Sequence, residues 1–212
     1  MPTYAEIVDE IRSNAQSGIS ADDSRLDDLY LESKLDTTRA AAIAKYINAG
    51  GRINSAWVQE MNLDMVDVDK ECKLVTFECP TVLFTNGKSD GFVYVGKVNG
   101  MKPFIRVNKE IVSLALHSKV QATSDILWDF RVGLQNRSFI SCYNNPRLEQ
   151  IMVRGIFNKP SEVPGFRKDI DMYPIDESLR NEVIQRITEE LLRGPLRVQP
   201  DYISDGADKP TK

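Results

Sequence analysis

Apolar residues at the start of the chain recur at helical spacing. Ile7, Ile11 and Ala15 share one helical face, and Thr3-Tyr4-Ala5-Glu6 has the Ser/Thr-x-x-Glu form of a capping box that would begin the helix. Its end is expected near Ser17-Gly18. Ser20 to Asp23 offers further capping residues, after which Leu26, Leu29, Tyr30, Ala40, Ile43, Ala44 and Ile47 continue a helical stripe. Asp36-Thr37-Thr38 would serve as an internal cap, so the pattern allows one long helix or two, stopped by Gly50-Gly51.

The period then shortens. Met61-Asn-Leu-Asp-Met65 alternates apolar and polar residues, Leu74 to Phe77 is β-rich, and Phe92 to Val95 is β-branched and aromatic. Val98-Asn99-Gly100-Met101 predicts a type I′ hairpin, because Asn-Gly accepts positive φ. Pro103 cannot donate to a ladder and puts the returning segment at an edge. A β pair is expected over Trp128 to Val132 and Ser138 to Tyr143, turning at Gly133 to Asn136. Asn144-Asn145-Pro146 turns the chain into Ile151-Met-Val153 and Ile156-Phe157. Between these strands, Ile111, Leu114 and Ala115 suggest a short helix within Asn108 to Val120.

From Pro174 the helical period returns, with Asp176 as cap, Glu177 in the first turn, and Leu179, Val183, Ile187 and Leu191 on one face. Periodicity leaves two readings for that stripe: packing on the chain's own sheet, or contact with a neighbouring copy. Gly194-Pro195 ends the helix, and the polar remainder reads as a tail. The expected fold is therefore α+β: a helical region over 1–56, an antiparallel β-rich meander of short strands over 57–170, a C-terminal amphipathic helix over 171–194, and a flexible polar tail over 195–212.

Composition narrows the function without naming it. The chain has 212 residues, 42% hydrophobic and 27% charged, enough to bury a core. Its formal net charge of −4 gives no general drive toward phosphate backbones. No apolar run reaches the roughly 20 residues of a membrane span, and Met1 to Glu6 has no leader-like pattern, which predicts a soluble product of a cytosol. Cys72, Cys79 and Cys142 are odd in number and widely spaced, which fits small core residues rather than disulfides. His117 is the only histidine, so neither a zinc site nor a triad is expected.

Other apparent motifs are weak. Asp64, Asp67, Asp69 and Glu71 imitate a calcium loop but lack its glycine, and read as the wet face of a strand. Asn86-Gly87-Lys88-Ser89 lacks the first glycine of a phosphate-binding loop, since position 82 is Val. Asp22, Asp23, Asp27 and Asp28 read as a solvated face. The residues suggest no catalytic group, cofactor or metal. An aromatic pocket of Tyr94, Phe104, Trp128 and Tyr143 in a small ligand-binding or enzyme domain is the alternative reading.

Four segments in order carry a resemblance: "AAAIAKYINAGGRINSAWVQE" (40–60), "FVYVGKVNGMKPFIRV" (92–107), "MVRGIFNKPSEV" (152–163) and "YPIDESLRNEVIQRITEELL" (173–192). Together they resemble a virion structural protein of crAss-like and related short-tailed phages. The second segment is similar to a Tyr-Val-Gly-x-x-Asp-Gly-x-x-Pro-Phe pattern, with Asn99-Gly100 replacing Asp-Gly. The resemblance implies a non-enzymatic connector ring between portal and tail, built from about twelve copies. It implies portal and tail-ring proteins as partners, viral DNA passing without sequence-specific binding, and no membrane. Assembly would occur in the bacterial host cytoplasm, with the protein ending in the virion.

Overall fold

The computed structural model describes residues 2–16, 27–71, 73–83, 91–100, 102–108, 125–132 and 138–193. Helix α1 (Tyr4–Gln16) starts on the expected capping box: the Glu6 backbone N–H donates to Thr3 Oγ1 at 3.3 Å, and the Thr3 N–H to Glu6 Oε2 at 2.8 Å. Ile7, Ile11 and Ala15 are buried, as their spacing predicts. Helix α2 (Asp28–Asn48) is a single helix, capped where Asp27 accepts from the Leu29 N–H at 3.1 Å. Its C-terminus is a Schellman turn, in which the N–H of Gly50 reaches Ile47 O at 2.9 Å and that of Gly51 reaches Tyr46 O at 3.0 Å. Gly50 takes φ +90°, a conformation that glycine adopts cheaply.

One expectation for α2 is corrected, and the choice between one helix and two is decided for one. Leu29 and Tyr30 are 70% and 39% exposed, because the buried face runs instead through Leu31, Leu35, Arg39, Ala42 and Ile43. Asp36 and Thr38 lie buried inside the helix instead of capping a second one. Ser17-Gly18, Ser20 to Asp23 and Leu26 lie outside the described residues.

Among the described residues seven strands follow: β1 (Gln59–Asp69), β2 (Leu74–Cys79), β3 (Phe92–Gly96), β4 (Ile105–Arg106), β5 (Leu127–Val132), β6 (Ser138–Tyr143) and β7 (Gln150–Gly155). They form one sheet in the order β3-β7-β1-β2-β6-β5-β4, antiparallel except for the β4–β5 pair. The long β1 joins two halves, since Gln59 to Asp64 pair with β7 while Met65 onward pairs with β2. Met61 and Leu63 are buried as the alternation predicts. A bulge between Met65 and Asp67 then resets the pleat, and Met65 and Val66 face solvent.

The sheet curls until its two edge strands approach. Gly96 bridges Pro103, and the Phe104 N–H donates to Val95 O at 2.8 Å. Inside, Phe92 meets Trp128 and Phe130 edge-to-face, at ring-centroid distances of 5.2 and 5.1 Å. The reversal at Val98-Asn99-Gly100 is present, closed by the Gly100 N–H on Lys97 O at 2.8 Å. Only Gly100 takes positive φ, however, so the turn is not type I′. The expected β5–β6 pair is formed, and Asn144 makes the next turn at φ 75°.

Helix α3 (Glu177–Arg193) packs on α1 and α2, completing a helical layer beside the curled sheet. The α+β architecture is the expected one. Residues 156–176 join the two cores: Ile156 belongs to the helical cluster, Phe157 to the sheet cluster, and Phe166 touches both. Pro160 opens a short 3-10 turn (Pro160–Glu162) on this path. The expected helix beyond Asn108, the Gly133 to Asn136 turn and everything from Gly194 onward lie outside the described residues.

Candidate functional site: assembly surfaces around a buried polar hub

The stripe singled out in the sequence is interior. Leu179, Val183, Ile187 and Leu191 are 7%, 1%, 0% and 4% exposed, in one cluster with Ile7, Ile11, Leu31 and Leu35. Of the two readings, the structure shows packing within the chain, but on helices rather than on the sheet. The face is therefore unavailable to a neighbouring copy in this fold. Ion pairs rim it: Lys34 with Glu190 at 2.8 Å, and Arg180 with Glu10. The helix cap is as expected, since Asp176 Oδ1 accepts from the Leu179 N–H at 2.8 Å. Its Oδ2 also accepts from Trp57 Nε1 at 3.0 Å and Asn54 Nδ2 at 3.1 Å, which ties α3 to the chain entering β1.

Beneath that cap lies a polar hub that the periodicity did not reveal. Arg39 is 0% exposed and donates to three carbonyls: Pro174 from Nε at 2.7 Å, Phe157 from Nη1 at 2.9 Å and Trp57 from Nη2 at 3.3 Å. Trp57 precedes β1, while Phe157 and Pro174 stand near the two ends of the 156–176 connection, so one planar guanidinium ties that connection to the chain entering β1. Its carbon lies 5.5 Å from the Tyr173 ring centroid. The Tyr173 hydroxyl donates to Asp36 Oδ1 at 2.9 Å.

Burial pushes the Asp36 carboxyl up to about 6, against the opposing pull of the Tyr173 hydrogen bond and the Arg39 charge. Burial also lowers the Arg39 pKa and raises that of Tyr173. The hub is sealed from solvent and supplies positioning rather than chemistry. A sequence signal existed: Arg39 continues the Leu31, Leu35 spacing, so an arginine stands on an otherwise aliphatic face.

The other candidates do not converge. Phe104 and Trp128 are 8% and 5% exposed and fill the curled sheet. The Tyr94 hydroxyl instead holds the Lys97 and Lys102 carbonyls, and that of Tyr143 donates to Asp129 at 3.2 Å. These four side chains form no common pocket, because alternate strand positions point them into the core, onto local backbone or onto the Asp129 carboxylate. Asp64, Asp67, Asp69 and Glu71 are exposed. Cys79 and Cys142 are free and buried, as small core residues. His117, Cys72, Asp22, Asp23 and Asn86 to Ser89 lie outside the described residues. Among those described, no group of three or more His, Cys, Asp or Glu side chains is placed to hold a metal, and no helix is long and apolar enough to cross a membrane.

What remains at the surface is apolar and suited to contact. Met65 and Val66 stand out at the β1 bulge, Val93 and Ile105 lie on the two edge strands, and Met172, two residues after exposed Ile170, lines an open groove of about 440 Å³.

Comparison with known families matches the chain to a family model described as phage tail ring protein 2, over residues 6–206. No curated protein matches the chain. The match covers both cores, the hub and α3. The chain belongs to the phage tail ring protein 2 family of crAss-like phages, whose members are non-enzymatic structural components of the virion tail.

Proposed function

We propose that copies of this chain close into a ring of about twelve subunits, stacked as a connector between portal and tail, with viral DNA passing along its axis. The observation that carries this reading is the family match over residues 6–206. A closed ring requires each subunit to present one surface to the copy on its left and a different one to the copy on its right. The exposed apolar groups serve as those surfaces, because the α3 stripe is spent inside the chain. The formal net charge of −4 suits a wall that DNA slides past, since the chain as a whole has no drive to displace its counterions.

Cryo-electron microscopy of virions tests this directly. A symmetric ring beside the portal whose subunit density fits the curled sheet and helices α1, α2 and α3 is the expected result. Density for the chain elsewhere in the tail would remove the portal-adjacent position, and its absence from every ring would remove the reading.

A further inference from the structure

The groove beside the start of β1 is incompletely furnished. Its bed includes Ala56, Val58, Val163, Phe166 and Met172. Over Gln59 to Asp64, β1 pairs with β7 along one edge, and among the described residues no strand pairs with its other edge. Gln59 donates from Nε2 to the Pro160 carbonyl at 3.3 Å, while its Oε1 is buried without a hydrogen-bond partner. Met172 and nearby Ile170 are 63% and 61% exposed, which is costly for large apolar side chains at a groove rim.

These features define the occupant. It is extended, so that backbone groups can lie along a strand edge, and it carries apolar side chains at alternate positions. It needs little net charge, because the groove's two carboxylates are already paired, Glu60 with Arg154 and Asp171 with Arg167. The chain contains such a segment. After α3 comes Gly194-Pro-Leu-Arg-Val-Gln-Pro200, in which Leu196 and Val198 alternate with polar residues between two prolines, and Tyr202-Ile203 follow. Prolines at both ends oppose continuation of the helix and favour an extended path.

Geometry favours a second copy as the donor. The groove lies at the start of α3, where Tyr173 and Pro174 lead into the helix, whereas residue 194 leaves from its other end. The 17 residues of α3 separate those ends by about 25 Å. A copy's own segment would have to double back along the whole helix. A neighbour's segment arrives directly, and the pairing of an outgoing segment with a groove gives the two unlike surfaces of a head-to-tail contact.

We propose that residues 194–203 of one copy lie in the Val58–Phe166–Met172 groove of the next, beside the free edge of β1. This rests on the ring reading above and adds the contact that links its copies. The test replaces Met172 with photoreactive p-benzoylphenylalanine in the full chain and assembles it from an equal mixture of ¹⁵N-labelled and unlabelled copies. The product is imaged by electron microscopy, irradiated and mapped by mass spectrometry. The expected product joins position 172 to a peptide within 194–203, with mixed isotopes.

Cross-links within a single copy, to another region, or absent altogether would overturn the proposal while the imaged ring still stood. Absence of any ring would remove the ring reading and the proposal with it. A second variant, Leu196→Asp with Val198→Asp, is expected to leave the melting of the isolated chain unchanged and weaken assembly roughly tenfold or more. Unaltered assembly of that variant would also overturn the proposal.

Discussion

Arg39 occupies a helical position where an aliphatic side chain would satisfy the pattern, and the fold uses it to hold three carbonyls, one before β1 and two near the ends of the 156–176 connection. Replacing it with Met would keep much of the volume but leave the Trp57, Phe157 and Pro174 carbonyls without their buried donor. The expected loss is about 3–5 kcal/mol, measured by urea unfolding. Lys keeps the charge without the planar fork and should recover only part of it.

Asp36 gives a pH signature of unusual sign. Its folded pKa of about 6 lies above the ordinary 3.8, so between about pH 4 and 6 the native state holds a proton that the unfolded chain has released. Stability from this group is therefore lowest above pH 6 and grows as pH falls through that window. Relative to Asp36→Asn, the natural chain should gain about 2–3 kcal/mol of stability between pH 6.5 and 4, followed by parallel denaturant titrations. A flat difference would show that Asp36 is ionised throughout.

At the scale of elements, the legible parts were those with local physics. The Thr3–Glu6 capping box, the Gly50-Gly51 stop, the Asp176 cap and the β5–β6 pair are each written in a few adjacent residues, and each is present. The missed parts depend on distant neighbours. The rotation of α2 that exposes Leu29 and buries Leu31 is set by which face α1 and α3 cover. The turn at Gly100 departs from type I′ because the returning chain makes one bridge at Pro103 and then crosses to the far edge beside β5.

Helix α3 shows the same limit. Its stripe was readable, but not the surface that would cover it. Val183→Asp or Ile187→Asp should destabilise the isolated chain by about 3–5 kcal/mol, with loss of far-ultraviolet helical signal, because each buries an unpaired charge. An isolated chain that stays folded while only assembly fails would return the stripe to the interface.

At the scale of the whole molecule, two cores are locked by the 156–176 connection and the Arg39 hub, with exposed apolar side chains left outside them. With a net charge of −4, the unassembled chain should not retard duplex DNA in a low-salt mobility assay at micromolar concentration. A shift that vanishes as salt rises would reveal a basic patch and change the reading of the channel wall.

The sequence by itself determined the α+β class, most element starts and stops, and the family, because caps, turns, alternation and ordered segments are local and survive in one dimension. Tertiary structure alone decided that Arg39 and Asp36 are buried together, that the sheet curls until β3 approaches the β4 segment, and that the α3 stripe is interior. Each of these depends on contacts between residues far apart in the chain. Burial and partner identity are properties of the assembled surfaces, and no periodicity encodes which surface meets which.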